Sequence, residues 1–178
     1  RRQRQMCIRD SVNTGAVLAC VSYPGYDNNR LANTMDSKYY NELVTGLSRP
    51  LYNNATQETT APGSTFKPIS AIAGLTEGVI TGGTTFTCTG KFTKITPSPK
   101  CWIYPGAHGG LNITGAISHS CNVNFSEMAY RMSMDEKGNY SSKKGTEILA
   151  KYAKMFAMDQ KSGIEIPESE STISTEDA

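Results

Sequence analysis

Histidine is scarce in this sequence, with only His108 and His119, and the five cysteines (Cys7, Cys20, Cys88, Cys101 and Cys121) form no C-x-x-C pair. Zinc motifs usually draw ligands from closely spaced pairs, so on spacing alone a zinc site is not expected. Long apolar runs are missing too. Nothing approaches the roughly 18 to 20 residues that a membrane helix needs, and no apolar stretch near the start precedes a small-residue cleavage site. Any anchor or export signal is expected outside the chain. A strong charge of one sign is also absent: the formal net charge of +2 is too small to imply a nucleic-acid partner. Its basic part sits at one end, where Arg1, Arg2, Arg4 and Arg9 crowd the first eleven residues. Removing residues 1–11 takes away four of the 18 basic residues and one of the 16 acidic ones, leaving 14 against 15. Residues 1–11 are therefore expected to be a disordered or non-native tip, and residues 12–178 the remainder of one domain.

What is present reads as a soluble, mixed α+β chain. Hydrophobic residues make up 38% and charged residues 19%, and the 16 glycines call for many turns. Thr14-Gly15 signals a turn before the apolar stretch Val17 to Tyr23, which reads as a central strand. The polar stretch from Asp27 to Thr60 suggests loop with short helices. Phe66, Ile69, Ile72, Ala73 and Leu75 then line one helical face, with Ser64 at its entrance. Residues 81–110 are rich in Gly, Thr and Pro and predict extended structure. Asn112 or Thr114 caps a short helix, Val123 to Arg131 continues as a second, and Thr146 to Phe156 forms a third with Ile148, Leu149 and Tyr152 on one side. The acidic tail from Glu168 is expected to be poorly ordered. A disulfide between Cys88 and Cys101, which flank a Thr-, Lys- and Pro-rich loop, stays open for an oxidising compartment. The N-x-S/T sequons at Asn54, Asn112, Asn124 and Asn139 reflect Asn-rich composition rather than glycosylation.

The chemistry concentrates in Pro62-Gly63-Ser64-Thr65-Phe66-Lys67-Pro68. Residues three apart on a helix share a face, so Ser64 and Lys67 lie side by side. A serine hydroxyl is a weak nucleophile that needs a base, and a lysine partly withdrawn from water can be neutral enough to serve. S-x-x-K alone is a weak signal, since Ser141-Ser142-Lys143-Lys144 also matches it and a helix cap beside a surface lysine has the same look. The 64 copy is favoured because it enters an apolar helix. Ser120-Cys121-Asn122 follows, offering a hydroxyl to relay a proton and a carboxamide to hold an amide substrate. S-x-N is also short, and Ser11-Val12-Asn13 repeats it.

In that order and spacing the two motifs resemble the active-site serine penicillin-recognising family, characterised by S-x-x-K, S-x-N and K-T-G. Thr14-Gly15-Ala16-Val17-Leu18-Ala19, Val21-Ser22-Tyr23-Pro24, Tyr26-Asp27, His108-Gly109 and Gly163-Ile164-Glu165-Ile166-Pro167 resemble the transpeptidase domain of class B-like, high-molecular-mass penicillin-binding proteins. The resemblance spans roughly Asn13 to Glu170. It implies a partial serine transpeptidase/β-lactamase-like fold, with the helix-rich part and one main strand of a five-stranded antiparallel sheet. It further implies Ser64 as nucleophile, Lys67 as base, Ser120 as proton relay to the leaving group and Asn122 as holder of the substrate amide. The implied substrates are D-Ala-D-Ala stem peptides, with β-lactams as covalent inhibitors and no metal or organic cofactor. The parent protein is implied to be membrane-anchored, to work on the extracytoplasmic face of a bacterial membrane and to meet other cell-wall synthesis proteins.

Departures from the family pattern limit what this piece is expected to do alone. Lys161-Ser162-Gly163 is not taken as the K-T/S-G motif, because it follows Ser120 too closely and runs into Ile164-Glu165-Ile166-Pro167. Residues 12–178 thus read as an incomplete transpeptidase domain, truncated at both ends, marginally stable and slow to acylate. A serine β-lactamase is disfavoured by Asn122 and by the lack of an E-x-x-x-N segment. A β-lactam sensor or a non-catalytic penicillin-binding module is the remaining alternative.

Overall fold

The structure is a computed structural model that describes residues 5–174. It divides into two compact units: one runs to Thr60 and takes in Lys161–Glu170, and the other holds Ala61–Gln160 with residues 171–174.

In the first unit, strand β1 (Gln5–Asp10) pairs antiparallel with β2 (Val17–Tyr23), setting Met6 opposite Ser22 and Ile8 opposite Cys20. Of the tip expected to be disordered or non-native, residues 5–10 form a strand, which departs from the disorder alternative; residues 1–4 lie outside the described residues. The arginine content masked a strand pattern in which Met6 and Ile8 alternate with Cys7 and Arg9. The turn closes through Gly15 at φ +72°, whose N–H donates to Ser11 O at 2.7 Å. The single main strand expected is therefore a two-stranded ladder. Its apolar side chains stay open to solvent, with Leu18 71% and Val21 54% exposed.

Helix α1 (Ser37–Thr45) starts at Asp36, whose carboxylate accepts the Tyr39 N–H at 2.9 Å and the Arg30 guanidinium. Those two bonds, the backbone one first, hold the Asp36 carboxyl below its ordinary range. The short α2 (Asn54–Gln57) is capped by Asn53, and buried Asn54 donates its backbone and side-chain N–H groups to Ser22 Oγ at 3.0 and 3.1 Å. Part of the acidic tail is ordered by the same unit. Ser169 N donates to Thr56 O at 2.9 Å, and Glu168 accepts from Ser162 and Gly163. Lys161-Ser162-Gly163 is thus an irregular segment whose Ser162 and Gly163 N–H groups close on the Glu168 carboxylate, outside any strand.

The second unit begins with a tight 3₁₀ turn (Gly63–Phe66) running into α3 (Lys67–Thr76). Strands β3 (Phe86–Cys88) and β4 (Gly109–Leu111) pair antiparallel and bracket an irregular segment of bends and turns with one isolated bridge, Lys91 to Lys100. Helix α4 (Ile113–Ser118) is capped by Asn112, whose Oδ1 accepts the Gly115 N–H, and α5 (Asn122–Met132) follows. Helix α6 (Ser142–Met155) starts four residues before the expected Thr146, because Ser141 Oγ caps it by accepting the Lys144 N–H. The polar look of Ser141 to Lys144 is that of an exposed first turn.

Ala73, Ile80, Met128, Met132 and Tyr152 form one core where α3, α5 and α6 meet. Gly74 lets α3 and α5 approach, since a Cβ there would run into Met128 Sδ. Glu77 then ties α3 to α6 by accepting from Lys151 Nζ at 2.8 Å and Tyr152 OH at 2.9 Å. A second core gathers Cys88, Phe92, Cys101, Cys121 and Val123 at the start of α5. Met128 is 1% exposed at the centre of the first core. Truncation by Met128→Ala is expected to cost about 2–5 kcal/mol, read as a lower midpoint in urea denaturation.

Candidate active site

Ser64 occupies the 3₁₀ turn ahead of α3, and the chain enters through Gly63 at φ +57°, a conformation that a side chain would strain. Lys67 is the first residue of α3, three positions after Ser64, and its ammonium points toward the turn between α4 and α5. There Lys67 Nζ donates to Ser120 O at 2.7 Å, Ser120 Oγ at 2.9 Å and Asn122 Oδ1 at 2.7 Å. Ser120 Oγ in turn donates to Ser64 Oγ at 2.9 Å. All four residues expected from the sequence are thus brought into one hydrogen-bonded set within a single compact unit.

Ser120 holds this geometry in an uncommon backbone conformation, with φ +48°. A non-glycine residue in the left-handed region costs about 1–3 kcal/mol and persists only where its surroundings enforce it. Here the Ser120 N–H donates to Ile117 O at 3.0 Å and the Cys121 N–H to Ala116 O at 2.9 Å, pinning both flanking peptides. Burial pulls the Lys67 pKa below its usual value, only partly opposed by Cys101 and Cys121, and the Phe125 ring contributes a wall 5.4 Å from Nζ. The constellation therefore holds an exposed serine hydroxyl, a partly buried amine, a hydroxyl between them and a carboxamide. These are the parts of acyl transfer through a serine ester.

Behind the turn lies a cluster that the spacing argument did not anticipate. Cys88 at the end of β3, Cys101, His108 and Cys121 place their ligand atoms within 4.8 Å of one another. Cys101 Sγ is 3.9 Å from Cys121 Sγ and 3.6 Å from His108 Nδ1. Tetrahedral ligands at a zinc–sulfur distance of roughly 2.3 Å stand about 3.8 Å apart, so these separations fit a Cys₃His site. The sulfurs are also supplied with donors: the Gly90 N–H reaches Cys88 Sγ at 3.4 Å, and Asn124 Nδ2 reaches Cys121 Sγ at 3.2 Å. Burial pushes the Cys121 thiol up to about 11. Burial pushes Cys101 up as well, but the backbone N–H groups of Asn122, Ile103 and Val123 outweigh it and leave this thiol below its ordinary value.

The spacing argument that made a zinc site improbable does not reach this cluster, because its four residues come from separate segments and not from local pairs. The clue was present: Cys121 stands inside Ser120-Cys121-Asn122, and His108 precedes Gly109. The Cys88–Cys101 pairing that the sequence left open is not formed. Both thiols are free, and they share the cluster with Cys121.

Residues 10–177 match the family model described as Penicillin binding protein transpeptidase domain. The chain is 37% identical over 155 residues to the peptidoglycan D,D-transpeptidase MrdA of Haemophilus influenzae, covering 86% of this chain and 22% of that protein. It therefore spans about a fifth of the length of this curated relative. Among solved structures, Pseudomonas aeruginosa PBP2 in complex with WCK 5153 superposes with a TM-score of 0.82 at 27% identity, over 99% of this chain and 38% of that one. A chain from a peptidoglycan synthase complex that coordinates polymerization and crosslinking gives 0.84 at 25% identity, over 98% of this chain and 28% of that one. With the serine, lysine and S-x-N residues assembled and the match running almost end to end, the chain belongs to the penicillin-binding protein transpeptidase family.

Proposed function

We propose that the protein carrying this chain cross-links peptidoglycan as a serine D,D-transpeptidase, with Ser64, Lys67, Ser120 and Asn122 as its catalytic group. The observation that carries this reading is the hydrogen-bonded path from Ser64 Oγ through Ser120 Oγ to Lys67 Nζ, with Asn122 closing on the same amine. The Ser64 oxygen bonds to the penultimate D-Ala carbonyl carbon, while its proton passes by way of Ser120 to unprotonated Lys67. The amide bond to the terminal D-Ala breaks, and its nitrogen takes the proton back by the same path. An amine of a neighbouring stem then attacks the ester carbon, forms the new amide and returns a proton to Ser64. Asn122 is suited to hold the substrate amide, and the Ser64 backbone N–H to donate to the developing oxyanion. A β-lactam follows the first step only, because its nitrogen stays tethered to the acyl group. On this reading the protein works on the extracytoplasmic face of the bacterial membrane, and other cell-wall synthesis proteins are its natural partners.

We further propose that Cys88, Cys101, His108 and Cys121 hold a zinc-class ion. When bound, such an ion supplies structural cross-linking of β3, the 101–108 segment and the start of α5.

Two experiments test these assignments. Fluorescent penicillin is expected to label the full-length gene product covalently, and Ser64→Ala to remove the label. The acylation rate is expected to rise with pH as Lys67 loses its proton, at a pKa below the ordinary lysine value of 10.5. Lys67→Arg, which stays protonated, is expected to lose about 10²- to 10⁴-fold. For the cluster, elemental analysis is expected to find about one zinc per chain. Cys88→Ser should lower that content, and a chelator should lower the melting temperature; a metal-free protein with unchanged melting would refute the site.

A further inference from the structure

The left-handed Ser120 is flanked by two peptide planes, and three of their four polar groups are bonded from within the helical scaffold. The Ser120 N–H goes to Ile117 O, the Cys121 N–H to Ala116 O, and Ser120 O accepts from Lys67 Nζ. The fourth group, the His119 carbonyl, accepts at 3.0 Å from Trp102 Nε1, the indole of a side chain that is 64% exposed. Burial therefore does not hold this ring in place. Its polar contact is specific, and its edge meets the His108 ring at 5.4 Å between centroids. The neighbours of Trp102 grip the same turn. Lys100 O accepts from Asn122 Nδ2 at 3.4 Å, and Cys101 Sγ lies 3.9 Å from Cys121 Sγ.

The His119 carbonyl and the Ser120 N–H belong to one peptide plane, so bonds to both stop that plane from rotating. Its rotation sets φ of Ser120, and through it the direction of the Ser120 hydroxyl. We propose that Trp102 is a positioning residue for acylation of Ser64: its indole N–H locks the peptide before Ser120 and so aims Ser120 Oγ at Ser64 Oγ. The proposal rests on the serine acyl-transfer reading above. It gives the exposed indole a task distinct from walling the substrate cleft, in which the ring face and not the N–H would matter.

Trp102→Phe in the full-length protein separates the two, since it keeps an aromatic ring and removes the donor. With a chromogenic penicillin, the acylation rate constant is expected to fall about three- to tenfold, the loss of one hydrogen bond, while the dissociation constant of the initial complex stays unchanged. Amide hydrogen exchange at Ser120 and Cys121 is expected to quicken in the same variant. Trp102→Ala is expected to slow acylation no further than Phe does. An unchanged rate constant in Trp102→Phe, or weaker initial binding confined to Trp102→Ala, would overturn the proposal in favour of a substrate wall. If the unsubstituted protein is not acylated at all, the transpeptidase reading falls and the exchange measurement alone decides: faster exchange supports the lock, and unchanged exchange overturns it.

Discussion

The site depends on one ammonium group with three acceptors. Lys67 leaves α3 and spends its donors on Ser120 O, Ser120 Oγ and Asn122 Oδ1, all from the turn that opens α5. A lysine half withdrawn from water tolerates its charge only when its donors are met. The contact exists only if α3 and α5 keep their spacing. That spacing is set by Gly74 against Met128 and by the packing of Ala73, Ile80, Met132 and Tyr152 around them. Core and chemistry are therefore coupled, because the residues that close the helices also decide where the amine can reach.

The turn receives a second constraint from the opposite side. Cys121 sits between Ser120 and Asn122 with its side chain in the buried sulfur and imidazole cluster, while its two neighbours face Lys67. Such alternation lets one short stretch serve two environments. The hydroxyl and carboxamide meet Lys67 Nζ on one side, and the sulfur lies in the buried cluster on the other. An anchored backbone is what a left-handed serine requires, since without fixed neighbours it relaxes to an ordinary conformation.

The legible parts of the sequence were those whose residues lie close together along the chain. Ser64 and Lys67 could be paired from a three-residue helical offset, and Ser120 and Asn122 from a motif of the same kind; the structure brings all four into one network. Helices α3, α4 and α5 were also legible, from apolar periodicity and from Asn112 as a cap. What escaped was either masked by composition or assembled from a distance. The arginines near the start hid the alternation of β1, and a run of Ser and Lys hid the first turn of α6. Cys88, Cys101, His108 and Cys121 satisfy no local ligand pattern, and only the fold brings them within reach of one another. Trp102 likewise shows no motif, because its partner is a backbone carbonyl and backbone atoms leave no mark in a sequence.

The direction of the hydrogen bonds adds a final constraint on the chemistry. Donation runs from Lys67 Nζ to Ser120 Oγ and from Ser120 Oγ to Ser64 Oγ, so Ser64, the proposed nucleophile, stands at the accepting end of the path. In that direction the path cannot remove a proton from Ser64. Once Lys67 loses one proton, its lone pair can accept from Ser120, Ser120 can accept from Ser64, and both hydroxyls reverse without a heavy atom moving. Burial of Lys67 lowers the cost of that loss, while Ser120 O and Asn122 Oδ1 keep the amine in place through its remaining donors. On the proposed reading, Ser120 O and Asn122 Oδ1 hold the amine in either protonation state while Ser120 Oγ changes from acceptor to donor, and the single proton on Lys67 decides whether Ser64 is at rest or ready to attack.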